Sequence, residues 1–520
     1  MCSFYVNGKE IKTWAGVIQP GIKSFLYLKQ ISGDEFFADT VADILLYVSR
    51  DLSDKSGGFY SAEDADSYPT AQSEEKQEGA FCVWTAEEIR QLLPDLIEGN
   101  PEKKTVADAF MHHYGVKEHG NVNPVKDPHN ELKGKNVLIV QYSLELTAAR
   151  FGLELEQLKT MLVKSREKLY KVRVQRPRPH LDTKMLASWN GLMISGFAQS
   201  GAILGKEEYI DRAGRAADFL RNHMFNVSSG KLLRSCYRGQ GNSVDKSSVP
   251  IHGFLEDYVF VIQALFDLYE ASLNPSWLEW AVQLQHKQDE LFWDPKGFAY
   301  FSTEAADPSL LLRMKDDQDG AEPSPNSIAV SNLLRAASYT GHKEWVKKAG
   351  QILAAFSERL LKIPVVLPEM ACTTAAFHQT LKQVVICGDP KGEDTRELLH
   401  CYYSTYTPHR VRTTWKDLLS PSFSFCWRSG LWLEIAFYRR GTTHNLSEQV
   451  SVWGKLYNPN GITPNASDNG LVHLGSDRPT GLETDLSDDL PQHRVRGGSS
   501  ASVCDTTCGC SSYCVSIFSL

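Results

Sequence analysis

The body of this chain holds no C-x-x-C pair, no P-loop, no GxGxxG, no HExxH and no nucleophile elbow. Dithiol redox, nucleotide, dinucleotide, zinc-protease and α/β-hydrolase chemistries lose their sequence support with them. Basic excess is also lacking. The 55 Lys and Arg face 63 Asp and Glu, a net charge of −8, so neither nucleic acid nor an anionic membrane surface is an expected partner. No apolar run is long enough to span a bilayer, and MCSFYVNGKEIKTW at the start lacks the apolar core of a signal peptide. The expectation is a chain without membrane contact, cytoplasmic by default, with secretion of a longer form as the alternative. Seven of the 11 Cys are scattered and read as reduced thiols. The other four, Cys504, Cys508, Cys510 and Cys514, have C-x3-C-x-C-x3-C spacing. Structural zinc sites use paired knuckles on separate hairpins, so no metal is expected and the tail reads as non-structural.

Apolar and aromatic residues are plentiful: 42% of the chain is hydrophobic and 11 residues are Trp, enough for a large core. The stretch His180–Ala202, HLDTKMLASWNGLMISGFAQSGA, organises the rest. It follows the Pro-rich run RPRP, which cannot continue a helix, and Asp182 or Thr183 is placed to cap a new one. Leu186, Trp189, Met193 and Phe197 recur at helical spacing, while Gly191, Ser195, Ala198 and Ala202 form a second line of small side chains. Small residues let helix axes approach closely, which predicts an inner helix crowded on several sides.

Around it the chain alternates helices. Val41, Ile44, Leu45, Val48 and Leu52 mark an amphipathic helix from about residue 35. Thr85 caps TAEEIRQLL, with Glu88 at the capping-box position. Helical patterns follow near 107–114 and 143–173, then 208–223, 252–271, 276–291, 327–339 and 342–361. Gly58, Gly230 and Gly297 each follow an outer helix and precede a short segment that returns to the mouth. Asp182, Asp257 and Asp319 each precede or begin an inner helix. Such units stack as α/α hairpins, which predicts an all-α toroid; an ordinary helical bundle is the rival. Residues 1–30 show no clean period, and 458–492 are rich in Asn, Asp, Gly, Ser and Pro, a composition of disorder.

Three acidic clusters could carry chemistry: Glu63, Asp64 and Asp66; Glu256 and Asp257; Asp316, Asp317, Asp319 and Glu322. Two carboxyls on one mouth, one with a raised pKa, suit sugar chemistry, inverting at about 6.5–9.5 Å apart and retaining at about 5–5.5 Å. Trp189 and Tyr258 would stack on a sugar ring, and Asn190 would bind it. His180 at an inner-helix entrance could move a proton at neutral pH. Acids at helix starts also cap exposed N–H groups without any ligand.

The runs GGFYSAEDADS, EGAFCVW, RPRPHLDTKMLASWNGLMISG, GFLEDYVF, LFWDPKGFAYF and KDDQDGAEPSPNS closely resemble the spermatogenesis-associated protein 20 family. The resemblance covers about 33–410. It implies an (α/α)6 toroid like the six-hairpin glycosidases and N-acylglucosamine epimerases, an N-terminal thioredoxin-like domain, and links with spermatogenesis and fertility. Against that pattern the thioredoxin-like part is missing here. The expected organisation is a divergent segment at 1–30, a toroid at 31–410 incomplete at both ends, and a divergent, largely disordered tail at 411–520. The expected function is a sugar-directed hydrolase or epimerase with no cofactor and a small carbohydrate as ligand. Asp182, Asp257 and His180 would act as acid and base, and Asp64, Trp189, Asn190, Tyr258, Asp316, Asp319 and Glu322 would bind substrate. The alternatives are a non-catalytic scaffold in germ-cell development and, in a longer form only, a thioredoxin-type redox helper.

Overall fold

In this computed structural model the described residues are 3–414 and 433–437, less 7–8, 13–14, 124, 126, 128–129, 242, 248, 306–309, 380, 388–391 and 409. The Cys-rich tail and the polar stretch at 458–492 lie outside them. Fifteen α-helices run through the described residues: α1 (Ala15–Ser32), α2 (Glu35–Asp51), α3 (Ala86–Leu92), α4 (Val106–His113), α5 (Leu144–Phe151), α6 (Leu155–Arg173), α7 (Ala187–Leu204), α8 (Glu207–Phe219), α9 (Leu255–Ser272), α10 (Pro275–Phe292), α11 (Pro325–Thr340), α12 (Lys343–Ala355), α13 (Ser357–Lys362), α14 (Pro368–Gln379) and α15 (Glu393–Ser404).

Four α/α hairpins repeat along the chain: α1–α2, α7–α8, α9–α10 and α11–α12. The first helix of each is the inner one, and α1, α7, α9, α11 and α14 pack side by side in that order. Burial separates the layers. In α9 every residue from Val259 to Tyr269 is buried, whereas in α2 only Val41, Ile44, Leu45 and Val48 are, at the spacing of one face. The all-α class and the hairpin architecture expected from the sequence are what the chain has. Between α2 and α7, helices α3–α6 form an excursion with its own small core of Trp84, Ile89, Phe110, Leu158 and Leu162. Its first helix starts with the Thr85–Glu88 capping box. After α14 the character changes: Lys382–Cys387 is the middle strand of a parallel sheet flanked by Arg410–Thr414 and Leu433–Phe437.

The small-residue line on α7 does what its composition requires. A Cβ on Gly191 would lie 2.7 Å from the Phe260 carbonyl carbon, so α7 and α9 are in backbone contact there. Four residues on, Ser195 Oγ donates to Asp267 Oδ2 of α9 at 2.5 Å.

Each hairpin is tied to the one before it by a first-turn side chain of its inner helix. Asn190 on α7 accepts from Phe59 N–H (2.7 Å) and donates to Phe59 C=O (3.0 Å). Asn326 on α11 does the same with Tyr300, at 3.0 Å both ways. On α9 the Tyr258 hydroxyl accepts from Leu232 N–H at 3.0 Å. Phe59, Leu232 and Tyr300 stand one, two and three residues after Gly58, Gly230 and Gly297, so the glycine repeat marks the turns that bring these backbones under the next helix. At Gly57 the backbone is left-handed (φ 113°) and a Cβ would meet Arg215 C=O at 2.8 Å. The buried Arg212 guanidinium donates to Gly57 C=O (2.8 Å) and lies 3.9 Å from the Phe59 ring, closing that turn.

Two expectations change. Residues 15–32 are not outside the hairpin array but form its first inner helix, with Ile18, Ile22, Phe25 and Leu26 in the common core. Their period is blurred because the opposite face, Lys23, Tyr27 and Gln30, is polar yet turned to the axis rather than to solvent. Asp182 and Thr183 do not cap α7: the helix starts at Ala187, and Leu181–Asp182 and Lys184–Leu186 are short strands. Its cap comes from another hairpin, Asp257 Oδ1 of α9 accepting from Ser188 N–H at 2.9 Å.

Gly191→Ala is expected to destabilise the fold by about 1–3 kcal/mol, because backbone cannot rotate away from a new methyl as a side chain can. Urea denaturation of the purified variant checks this, and an unchanged midpoint would contradict the close approach.

Candidate functional site

The inner helices begin at one end of the array, and there the loops they hold supply a charged cluster. Arg234 lies between Leu232 and the strand Ser235–Arg238. Its own N–H donates to Ile251 C=O and its C=O accepts from Ala187 N–H, both at 2.9 Å. Backbone therefore fixes the side chain on both sides. The guanidinium reaches Glu256 Oε1 at 2.7 Å and Asp257 Oδ2 at 3.3 Å, and sits 4.4 Å from the Phe254 ring. Glu322, from the loop before α11, accepts a hydrogen bond from the Trp189 indole and feels the Glu256 and Arg234 charges.

These groups are electrostatically unequal. Burial, reinforced by the Glu256 charge, pushes the Glu322 carboxyl up to about 7 against the Trp189 hydrogen bond and Arg234. Asp257 is fully buried, which pushes it up to about 7 as well, against Arg234 and the Phe254 and Ser188 N–H donors. Glu256 is the carboxylate that shares Arg234 while keeping a third of its side chain in solvent. A protonatable acid with an indole donor, a neighbouring carboxylate and a fixed cation can exchange a proton with a bound hydroxyl or hydrate.

The sequence-predicted residues divide into three groups. The structure brings together Trp189, Asp257 and Glu322, and adds Glu256 and Arg234. Asn190 and Tyr258 are fully buried and spend their polar atoms on the Phe59 and Leu232 backbones, so neither offers a face or an amide to a ligand. Tyr258 packs its ring edge-on to Phe292 at 5.3 Å. The remainder serve loops. Asp182 is exposed and accepts from Lys184 N–H (3.0 Å). His180 is exposed and its C=O accepts from Asp64 N–H (2.7 Å). Asp64 pairs with Lys76 at 3.1 Å, and Asp316 accepts from Ser302 Oγ at 3.0 Å. Asp319 accepts from Ser324 N–H and Ser327 Oγ and, through Oδ2, from Glu369 N–H at 2.9 Å. It thus caps α14 from a distance as Asp257 caps α7. Arg234 had no sequence signal, since nothing in the KLLRSCYR run separates it from Arg238.

Among the described residues no group of His, Cys, Asp and Glu could hold a metal ion, and no helix is long and apolar enough to cross a membrane.

Stacked α/α hairpins with inner helices around an axis, opening at a mouth of carboxyls, define a toroid-type helical protein. Over 383 residues the chain is 57% identical to spermatogenesis-associated protein 20 of Mus musculus, covering 74% of this chain and 48% of that one. The Homo sapiens protein of the same name is 54% identical over 383 residues, covering 74% and 49%. An uncharacterized Caenorhabditis elegans protein is 40% identical over 363 residues, covering 69% and 49%. The chain is thus similar over about three quarters of its length to the proteins named spermatogenesis-associated protein 20, and it spans about half the length of the curated relatives it matches. No family profile matches it. Among solved structures, a family 105 glycoside hydrolase of C. acetobutylicum aligns at TM-score 0.30 and 9% identity, over 65% of this chain and 75% of its own. A cellobiose 2-epimerase of Bacillus thermoamylovorans aligns at 0.28 and 10%, over 62% and 73%. Both likenesses are too loose to bear on chemistry.

Glu322 provides a pH test. Its folded-state pKa of about 7 lies above the ordinary 4.5, so between those values the folded chain holds more protons than the unfolded one and stability falls as pH rises. Glu322→Gln is expected to flatten that fall, leaving the share that comes from Asp257. Denaturant midpoints measured from pH 4.5 to 7.5 check it, and parallel profiles for the two proteins would refute it. Asp257→Asn sets an amide NH2 against Arg234 or a backbone N–H and should cost about 1–3 kcal/mol, read as a lowered melt.

Proposed function

We propose that the mouth is a sugar-directed acid–base site, with Glu322 as the acid, Glu256 as the base, and Arg234 and Asp257 holding Glu256 and the helix ends in place. The observation that supports this most is the Trp189–Glu322 hydrogen bond beside the Arg234-paired Glu256. It sets a carboxyl whose pKa is pushed up to about 7 beside one that is paired with a guanidinium. Glycoside cleavage and epimerisation both need such a pair. A partly buried indole alongside supplies an apolar face for a sugar ring. The name of the relatives adds the proposal that this activity belongs to spermatogenesis.

A second reading, a sugar-binding scaffold without turnover, draws on Asp257. Both of its oxygens are already engaged by Ser188, Phe254 and Arg234, so one acid of the mouth does structural work.

The test is a thermal-shift and turnover screen of the chain against mono- and disaccharides, since a ligand that binds the native state raises its melt. For a sugar that raises the melt, Glu322→Gln is expected to reduce turnover at least 100-fold, within the range general acid catalysis contributes. Asp182→Asn and His180→Gln, at exposed positions, should leave it within about twofold. A shift without turnover selects the scaffold. Turnover lost in Asp182→Asn and retained in Glu322→Gln would overturn the assignment.

A further inference from the structure

Helix α6 and the Pro-rich run after it carry a block of positive charge. Residues 159–180 hold eight Lys and Arg and a single acid, Glu167, in a chain whose net charge is −8. Like charges three or four residues apart on a helix repel, so such a block needs either internal partners or an external one.

Five of the eight are used inside the fold. Lys159 pairs with Glu156 at 2.7 Å, and Arg166 donates to the Tyr114 hydroxyl at 3.2 Å. Arg176 donates to Phe81 and Val83 C=O, pairs with Glu88 at 3.3 Å and lies 4.1 Å from the Trp84 ring. Arg178 reaches Asp51 at 3.3 Å, and Arg173 lies against the Phe81 and Tyr170 rings. Lys164, Lys168 and Lys171 are left. All three are exposed, and none has a hydrogen bond or ion pair among the described residues. Glu167, three residues from one and four from another, pairs with neither.

Spaced at i, i+4 and i+7, the three share one flank of α6 and span about 10 Å at 1.5 Å per residue. They cannot turn inward, because Leu158, Leu162, Ser165 and Leu169 hold the buried face against the small core of the excursion. Length and surroundings select the partner. Acid side chains at the same spacing on a second helix match this row. A nucleic-acid strand would need a longer row and, if single, open aromatic faces for its bases. Tyr170, the aromatic of α6, is instead covered by Arg50 at 4.5 Å and by Arg173. Any long polyanion leaving the row would also meet a chain of negative net charge.

We infer that the Lys164–Lys168–Lys171 flank of α6 is a docking surface for an acidic helical segment of a partner protein. None of its residues belongs to the mouth, so it is independent of the activity proposed there.

The test is fluorescence anisotropy of the chain with a labelled Ala-based helical peptide bearing Glu at i, i+4 and i+7. A scramble of equal charge, a short DNA duplex and a heparin oligosaccharide serve as comparison probes. The matched peptide is expected to bind more tightly than all three, and less tightly as salt rises. The triple variant Lys164→Glu, Lys168→Glu, Lys171→Glu should weaken it about tenfold or more by turning attraction into repulsion, with an unchanged melt. A peptide with Lys in place of Glu should restore binding to that variant. No binding of the matched peptide, equal binding of the scramble or by the variant, or tighter binding of the duplex or heparin would each overturn the inference.

Discussion

The structure hangs on one repeated interaction: a first-turn side chain of each inner helix reaching back to hold the backbone that leaves the preceding hairpin. Asn190, Tyr258 and Asn326 make it to Phe59, Leu232 and Tyr300. A peptide N–H buried between hairpins would otherwise be orphaned, at about 1–3 kcal/mol each. Because the held residues immediately precede the loops of the mouth, the same bonds position Arg234, two residues after Leu232. Site and scaffold therefore stand or fall together.

Capping follows the same logic of exchange between neighbours. Asp257 and Asp319 lie at the starts of inner helices, where a carboxylate is expected to cap its own N–H groups. Asp257 does cap α9, and each acid also reaches the second residue of an adjacent inner helix, Ser188 of α7 or Glu369 of α14. One carboxylate serves two helix ends, which ties the ring of inner helices together at the mouth and concentrates negative charge there. Arg234 offsets part of it. The remainder is relieved by holding a proton on Glu322, whose partly buried position disfavours a second charge beside Glu256.

Much of this was legible in the chain itself. The period of Val41, Ile44, Leu45 and Val48 gave the buried face of the outer helix in the first hairpin, the Thr85–Glu88 spacing the capping box of α3, and Gly191 the close approach of α7 to α9, because each is a local pattern with one cheap structural solution. The recurring Gly58, Gly230 and Gly297 marked the turns that lead back under the next inner helix, and of the residues grouped at the mouth Trp189, Asp257 and Glu322 share a neighbourhood with Arg234 and Glu256.

What only the tertiary structure decided are matters of partnership between distant residues. Local sequence offered Asp182 as the cap of α7, yet the bond came from Asp257, 69 residues from Ser188. An aromatic beside an acid looks like a sugar platform in sequence, but Tyr258 points into the core because its hydroxyl is needed by Leu232. Arg234 has no motif at all, and it matters because two backbone bonds aim it between Glu256 and Asp257. Residues 15–32 hid their helix because the polar stripe on Lys23, Tyr27 and Gln30 faces an internal cavity, where the usual equation of polar with solvent does not hold. Composition and period determine which residues prefer water or oil and how a segment winds. Which carboxyl holds its proton more tightly depends on what the rest of the chain brings beside it.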